Sequence, residues 1–308
     1  MAETIPVLLV VSLIVFMLMR LLPGDPIEAF LGEEGGNLSV EQRAQIEKNL
    51  GLDKPLPIQY VDWVTGLVTG DWGTDTYRQS VAKTVGERFT ATAQLATLAW
   101  VLGLAIGVPL GVISALRRNS WTDVGITTVS LAGLATPNFL LAILLILIFS
   151  VSLGWLPSFG FVSIIDDPVE GLKRMALPVV ALSTGLMAAI VRQTRSGVLE
   201  VMAEDYVRTA AAKGLSRSRL IIKHVLKNAL LPVVTVAGIQ IGNLVSGTII
   251  VETMFAIPGI GSLTLRSILI RDFQTIQVLV VIIAVFTVMA NLLADIAYVF
   301  LDPRIRLS

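Results

Sequence analysis

The chain has 308 residues, 54% of them hydrophobic and only 15% charged, with no net formal charge and a mean hydropathy of +0.79. A charged fraction so far below the roughly 25% usual for soluble domains leaves too little polar surface to cover a water-soluble fold. The lack of a basic excess argues against a nucleic-acid partner, zero cysteines exclude disulfides and thiolate chemistry, and His224 as the only histidine leaves no imidazole cluster for a metal.

Crossing about 30 Å of hydrocarbon takes roughly 20 apolar residues in a helix. The first such run is Ile5 to Leu22, which ends at Pro23-Gly24-Asp25-Pro26, where two prolines and a glycine cannot continue a helix. No basic stretch precedes it and no small-residue cleavage pattern follows, so residues 1–22 read as a retained first transmembrane helix and not as a signal peptide. Residues 23–91 form a second region, rich in Asp and Glu and expected outside the cell membrane. Within it, Ser39 and Gln42 have the spacing of a capping box, which predicts a short helix from Val40 to Leu50 stopped by Gly51. Tyr60, Trp63 and Trp72 are spaced for packing on a surface or sitting at headgroup level.

Residues 92–308 carry five further spans, about Thr92–Leu116, Val124–Leu153, Met175–Val191, Ala229–Phe255 and Ile276–Leu301. The expected fold class is therefore all-α: a membrane protein of about six transmembrane helices, with a small extracytoplasmic helical segment between spans 1 and 2. Basic residues set the orientation. Arg192, Arg195, Arg208, Lys213, Arg217, Arg219, Lys223 and Lys227 face only Glu200, Glu204 and Asp205, which puts the segment after the fourth span in the cytoplasm. Arg117 and Arg118, and Arg304 and Arg306, fall on the same side if the spans alternate.

That cytoplasmic loop, residues 196–228, holds the strongest local pattern. Glu204, Asp205, Tyr206 and Arg208 lead into the alanine-rich turn of Ala210 and Ala212, followed by Lys213, Gly214, Leu215 and Ser216. Gly214 suits a left-handed helix stop, Ser216 suits a new N-cap, and Pro232 marks the return to the membrane. The result is a helix-turn-helix outside the bilayer, with small side chains that let another protein's backbone come close. By itself Gly214 also reads as an ordinary helix stop, and His224 as a partly exposed structural residue.

The run Asp-Tyr-Val-Arg-Thr-Ala-x-Ala-Lys-Gly-Leu-Ser from Asp205, followed by His-x-Leu-Lys-Asn-Ala-Leu-Leu-Pro from His224, resembles the coupling loop of permease subunits in the dipeptide, oligopeptide and nickel branch of ABC importers. Leu21 to Pro26, Gly70-Asp71-Trp72-Gly73, Glu252 to Phe255 with Pro258 to Gly261, and Leu301 to Arg306 are similar to the same branch, so the resemblance covers almost the whole chain. Thr209-Ala210-Ala211 stands where the broader superfamily has glutamate-alanine-alanine, and a basic stretch usual before the first span is lacking, which implies a clipped or unusual start. The resemblance implies a type I importer permease fold and movement of dipeptides or oligopeptides across a bacterial or archaeal cytoplasmic membrane by alternating access. Nickel chelates, glutathione and oligosaccharides are alternative cargoes. It further implies a second homologous permease chain, with a homodimer less favoured, two ATP-binding subunits that bind ATP and magnesium, and an extracytoplasmic binding protein. The chain has no Gly-x-x-x-x-Gly-Lys-Ser/Thr phosphate loop, so no catalytic residue or cofactor is assigned to it.

Polar residues inside apolar spans should face protein or water. Thr136, Asn138, Gln240, Asn243 and Ser246 are candidates for lining a pathway or for joining helices. Glu252 is read as near the outer end of the fifth span, capped by backbone amides near Pro258 to Gly261, with structural and functional roles both open. Asn291 and Asp295 lie one turn apart on the sixth span and share a face suited to packing. Pro137 and Pro232 are expected to break their helices locally. A self-contained channel or secondary transporter is the competing class, but no repeat between the two halves is evident.

Overall fold

A computed structural model describes residues 4–21, 39–49, 51 and 53–301, and among them the only β feature is an isolated bridge between Thr74 and Ser80. The Pro23 to Pro26 stop, Leu50 and the terminal arginines lie outside the described residues. The chain divides into one compact unit of residues 1–91 and 258–288 and another of residues 92–257 and 289–308.

In the first unit, α1 (Thr4–Leu21) is followed by α2 (Val40–Asn49) and α3 (Leu56–Thr69). The capping box of α2 is formed in both directions: the Ser39 amide donates to Gln42 Oε1 at 3.0 Å and the Gln42 amide to Ser39 Oγ at 3.2 Å. Pro57 sits at the start of α3 where its missing N–H costs nothing, and Gly70 closes the helix at φ 85°. Phe16 of α1 stacks near Tyr60 and Trp63 of α3, at 5.5 and 5.8 Å between ring centres, and the Tyr60 and Ser12 hydroxyls share a 2.8 Å hydrogen bond. The first turns of α4 (Val81–Leu116) meet α12 (Ile260–Leu269) and the start of α13 (Phe273–Leu301) through Val81, Val85, Ile260, Leu263, Val278 and Leu279. Trp72 packs on this core, and its carbonyl accepts from Gln274 Nε2 at 3.0 Å.

The second unit continues α4 and adds α5 (Trp121–Ala135), α6 (Asn138–Leu145) with a π-helical extension Ile146–Ser152, and α7 (Pro168–Met202). There follow α8 (Asp205–Ala212), α9 (Arg217–Leu220), a π-helical turn Ile221–Val225, α10 (Leu226–Ala229) and α11 (Leu231–Met254). α7 is the central helix: 61% of its most apolar window is buried, against 22% for α4, so α7 supplies the core and α4 keeps most of its surface outward. The close approach of these two helices rests on Gly103, Gly107 and Gly111, at a spacing of four. A Cβ on them would come within 2.7, 2.9 and 2.5 Å of Leu186, Ile190 and Thr194. Small residues at this spacing bring backbones together where dispersion, not the hydrophobic effect, drives packing.

Among the described residues, α4, α7 and α13 (over Phe273–Leu293) are each long and apolar enough to cross a bilayer, and two bent pairs raise the number to as many as five, while α1 has a shorter apolar stretch, Pro6–Met17. α4 and α7 run to 36 and 35 residues, well beyond the expected apolar windows. Intrahelical hydrogen bonds continue into polar turns that a hydropathy window cannot register. The stretch Val124–Leu153 departs from a single span: α5 and the α6 segment meet at 105°. Thr136 is held extended ahead of Pro137, at ψ 121°, because the proline ring disfavours a helical residue before it. The break ahead of Pro232 is milder, 48° between the α9–α10 segment and α11.

Candidate functional site

The alanine-rich loop folds as the expected helix-turn-helix. Glu204 occupies the N-cap of α8 with extended backbone, Asp205 opens the helix, Lys213 closes it, and Gly214 follows at φ 81°. A Cβ on Gly214 would meet nothing within 4 Å, so the glycine is demanded by backbone conformation and not by crowding within the chain. Ser216 takes the expected N-cap position of α9 with extended backbone, and its carbonyl accepts the Leu220 amide at 2.9 Å, though its side chain makes no capping bond. The loop's outer face is exposed over Glu204, Asp205, Arg208, Ala212, Lys213 and Ser216, with Ala210 and Leu215 half-buried. The Arg208–Asp205 pair at 3.4 Å is solvent-exposed, so it contributes little.

Two anchors hold this exposed element. Val207 is 5% exposed and joins Ala115, Val198, Val225 and Ala229 in an apolar base. Tyr206, 42% exposed, donates its hydroxyl to the His224 carbonyl at 3.3 Å and accepts from Asn228 Nδ2 at 2.7 Å. The aromatic side chain thereby ties α8 to the returning segment, and His224 takes part through its backbone. Beneath them Gly197 lets α7 meet the Ala229 carbonyl, which would lie 2.7 Å from an added Cβ. Val207, Asn228 and Gly197 were not singled out from the sequence. An apolar residue three after the N-cap of a polar helix is the signal that could have found Val207.

The polar residues of the spans separate into different settings. Thr136 spends its hydroxyl on the Ala132 carbonyl, 2.7 Å away in the same helix. Asn138 is half-buried beside Gly247, and on α11 the exposed Asn243 donates Nδ2 to Gln240 Oε1 at 2.5 Å. Glu252 is fully buried and accepts the Thr92 hydroxyl at 2.7 Å, while the Ile257 amide goes to the Glu252 backbone carbonyl at 2.8 Å. Its carboxylate thus joins α4 to α11 within the second unit. Asn291 is exposed on α13, and the side chains of Ser246 and Asp295 lie outside the described residues.

Two further constellations went unnoticed in the sequence. Asp123 and Arg195 form a bidentate ion pair near the base of the loop. In the first unit, a cavity of about 220 Å³ is lined by Asp75, Tyr77, Arg88, Arg266 and Asp272 among others, with the Arg266 guanidinium 5.3 Å over the Tyr77 ring.

Residues 107–307 match the family of binding-protein-dependent transport system inner membrane components, and residues 1–101 match the family of its N-terminal part. The chain belongs to this transport family. The permease is 40% identical over 323 aligned residues to the di/tripeptide transport system permease protein DppB of Pseudomonas aeruginosa, covering 98% of this chain and 96% of that one. It is 39% identical over 307 residues to the oligopeptide transport system permease protein AppB of Bacillus subtilis, with the same coverage. Among solved structures, the inward-facing MetNI methionine ABC transporter matches with a TM-score of 0.59 at 18% identity, over 70% of this chain and 95% of that one. That likeness shows the ABC importer permease fold. The permease is accordingly a membrane-embedded, non-catalytic transport subunit, and the channel or secondary-transporter alternative is set aside.

Proposed function

We propose that this permease subunit moves dipeptides or oligopeptides inward, and that the α8–turn–α9 element is the surface gripped by a partner ATPase. The observation that carries the reading is the exposed, rigidly anchored helix-turn-helix with Gly214 at φ 81°. In a chain whose relatives are named as peptide permeases, such an element receives force from a neighbour and passes it to the helices beneath. On this reading the chain crosses the membrane about six times, with residues 196–228 and the C-terminus in the cytoplasm. Two ATP-binding subunits hold ATP and magnesium, a second homologous permease completes the pathway, and a binding protein delivers cargo to residues 23–91 and the cavity near Tyr77. Gln240, Asn243 and Asn138 face the pathway or the second permease, as uncharged amides suited to uncharged peptide groups.

Uptake by the purified assembly in proteoliposomes tests the substrate. Di-, tri- and longer peptides should drive ATP-dependent accumulation, whereas accumulation only of nickel chelates, glutathione or oligosaccharides would overturn the peptide reading. Native mass spectrometry of the same assembly decides the partner: two copies of this chain and no second permease would refute the heterodimer.

A further inference from the structure

The ion pair beside the loop has no part in docking as described above, yet its carboxylate is bonded by three different segments of the chain. Asp123, in the first turn of α5, is 4% exposed. Arg195 donates Nε to Oδ1 and Nη2 to Oδ2, each at 2.8 Å; the Ser114 hydroxyl bonds Oδ1 at 2.5 Å, and the Asn119 amide donates to Oδ2 at 3.0 Å. These partners come from the end of α4, from the turn between α4 and α5, where Asn119 sits at φ 63°, and from α7. Ser114 adjoins Ala115, and Arg195 is one turn from Val198, so the same two helices that hold Asp123 also furnish the apolar base under Val207.

A buried ion pair gains little stability over an apolar pair of equal shape, because desolvation offsets the attraction. What a two-pronged guanidinium–carboxylate contact adds is geometric definition, since a small slip of either helix breaks one of its two parallel bonds. Alanine and valine contacts in the adjoining base permit such slips. We propose that Asp123 and Arg195 are positioning residues for transport, a strut that makes the α4–α5 hairpin follow α7 when the loop is displaced. The proposal rests on the docking role of the loop. Without the strut, a movement imposed at α8 is absorbed in the soft base and does not reach the spans.

The test uses the complete transporter in proteoliposomes and reads three quantities: retention of the ATPase partners, ATP hydrolysis, and substrate moved per ATP. Arg195→Lys keeps the charge but loses the fork, and Asp123→Asn keeps the shape but loses the charge. Both should retain partners within about twofold of the parent while substrate moved per ATP falls about fivefold or more. Because the chain has no cysteine of its own, the double variant Asp123→Cys/Arg195→Cys can be bridged with a short bifunctional thiol reagent. Bridging should restore the transport ratio, which a general loss of stability would not allow. Parental coupling in both single variants, or a bridged double variant that stays uncoupled, overturns the strut. Loss of partner binding in the single variants also overturns it, because the pair would then shape the docking surface. If Gly214→Asp keeps docking and transport at the parental level, the loop reading fails and takes the strut with it, whereas a defective Gly214→Asp beside parental ion-pair variants overturns the strut alone.

Discussion

Gly214→Asp perturbs a position whose structural cost can be separated from its cost at an interface. At φ 81° an L-residue is less favourable than glycine by about 1 kcal/mol, equivalent to roughly a fivefold shift in the local equilibrium. Beyond the adjoining Lys213 and Leu215, no described atom of the chain lies within 4 Å of the added Cβ, so crowding by the chain adds no internal penalty at that atom. Any larger effect has to arise where a partner's backbone meets the turn. Three substitutions divide the causes. Asn tolerates the left-handed conformation but adds bulk; Ala adds little bulk but carries the conformational cost; Asp adds bulk and charge, with an ease in left-handed backbone between the two. If the turn is gripped closely, retention of the ATPase partners in a detergent pull-down should fall in the order Ala, Asn, Asp, with Asp losing a further tenfold or more, about 1.4 kcal/mol, on top of the roughly fivefold conformational cost. If only conformation matters, Asn should match the parent. Gly214→Asp that inserts normally, keeps its partners and transports at the parental rate would refute the docking element.

The remaining expectations concern the supports of that site. Lys213→Glu should weaken partner retention less than Gly214→Asp and more at low salt than at high, because an exposed charge is screened; binding titrations at two ionic strengths check this. Val207→Ala removes two buried carbons and should destabilise the loop by about 2 kcal/mol, and Tyr206→Phe by about 1 kcal/mol, seen as faster tryptic cleavage at Arg208, Lys213 and Arg217 in that order of severity. Gly111→Val should prevent α4 from meeting α7 and abolish recovery of folded protein by size-exclusion chromatography, since the first added atom already lies 2.5 Å from Thr194. Deleting residues 33–53 should reduce substrate-stimulated hydrolysis while leaving the ATPase partners bound; unchanged stimulation would show that α2 has no part in receiving cargo.

Much of the architecture follows from local chemistry and was accessible without coordinates. Apolar runs locate the spans because lipid forces every backbone group into a helix, and Ser39 with Gln42, or Gly214 alone, end helices through contacts within a few residues. Those features depend on neighbours in sequence. Asp123 reads locally as the third residue after a serine cap and Arg195 as one more cytoplasmic charge, although they lie 72 positions apart and bond at 2.8 Å. Glu252 likewise finds Thr92 across 160 positions. The 105° turn at Pro137 was expected only as a break, since a proline removes a hydrogen bond but leaves the angle to the helices packed around it. A residue's secondary structure here follows from its own neighbourhood, whereas the partner of a buried charge is set by which distant helices close packing brings alongside, and glycines such as Gly107 and Gly111 make that approach possible.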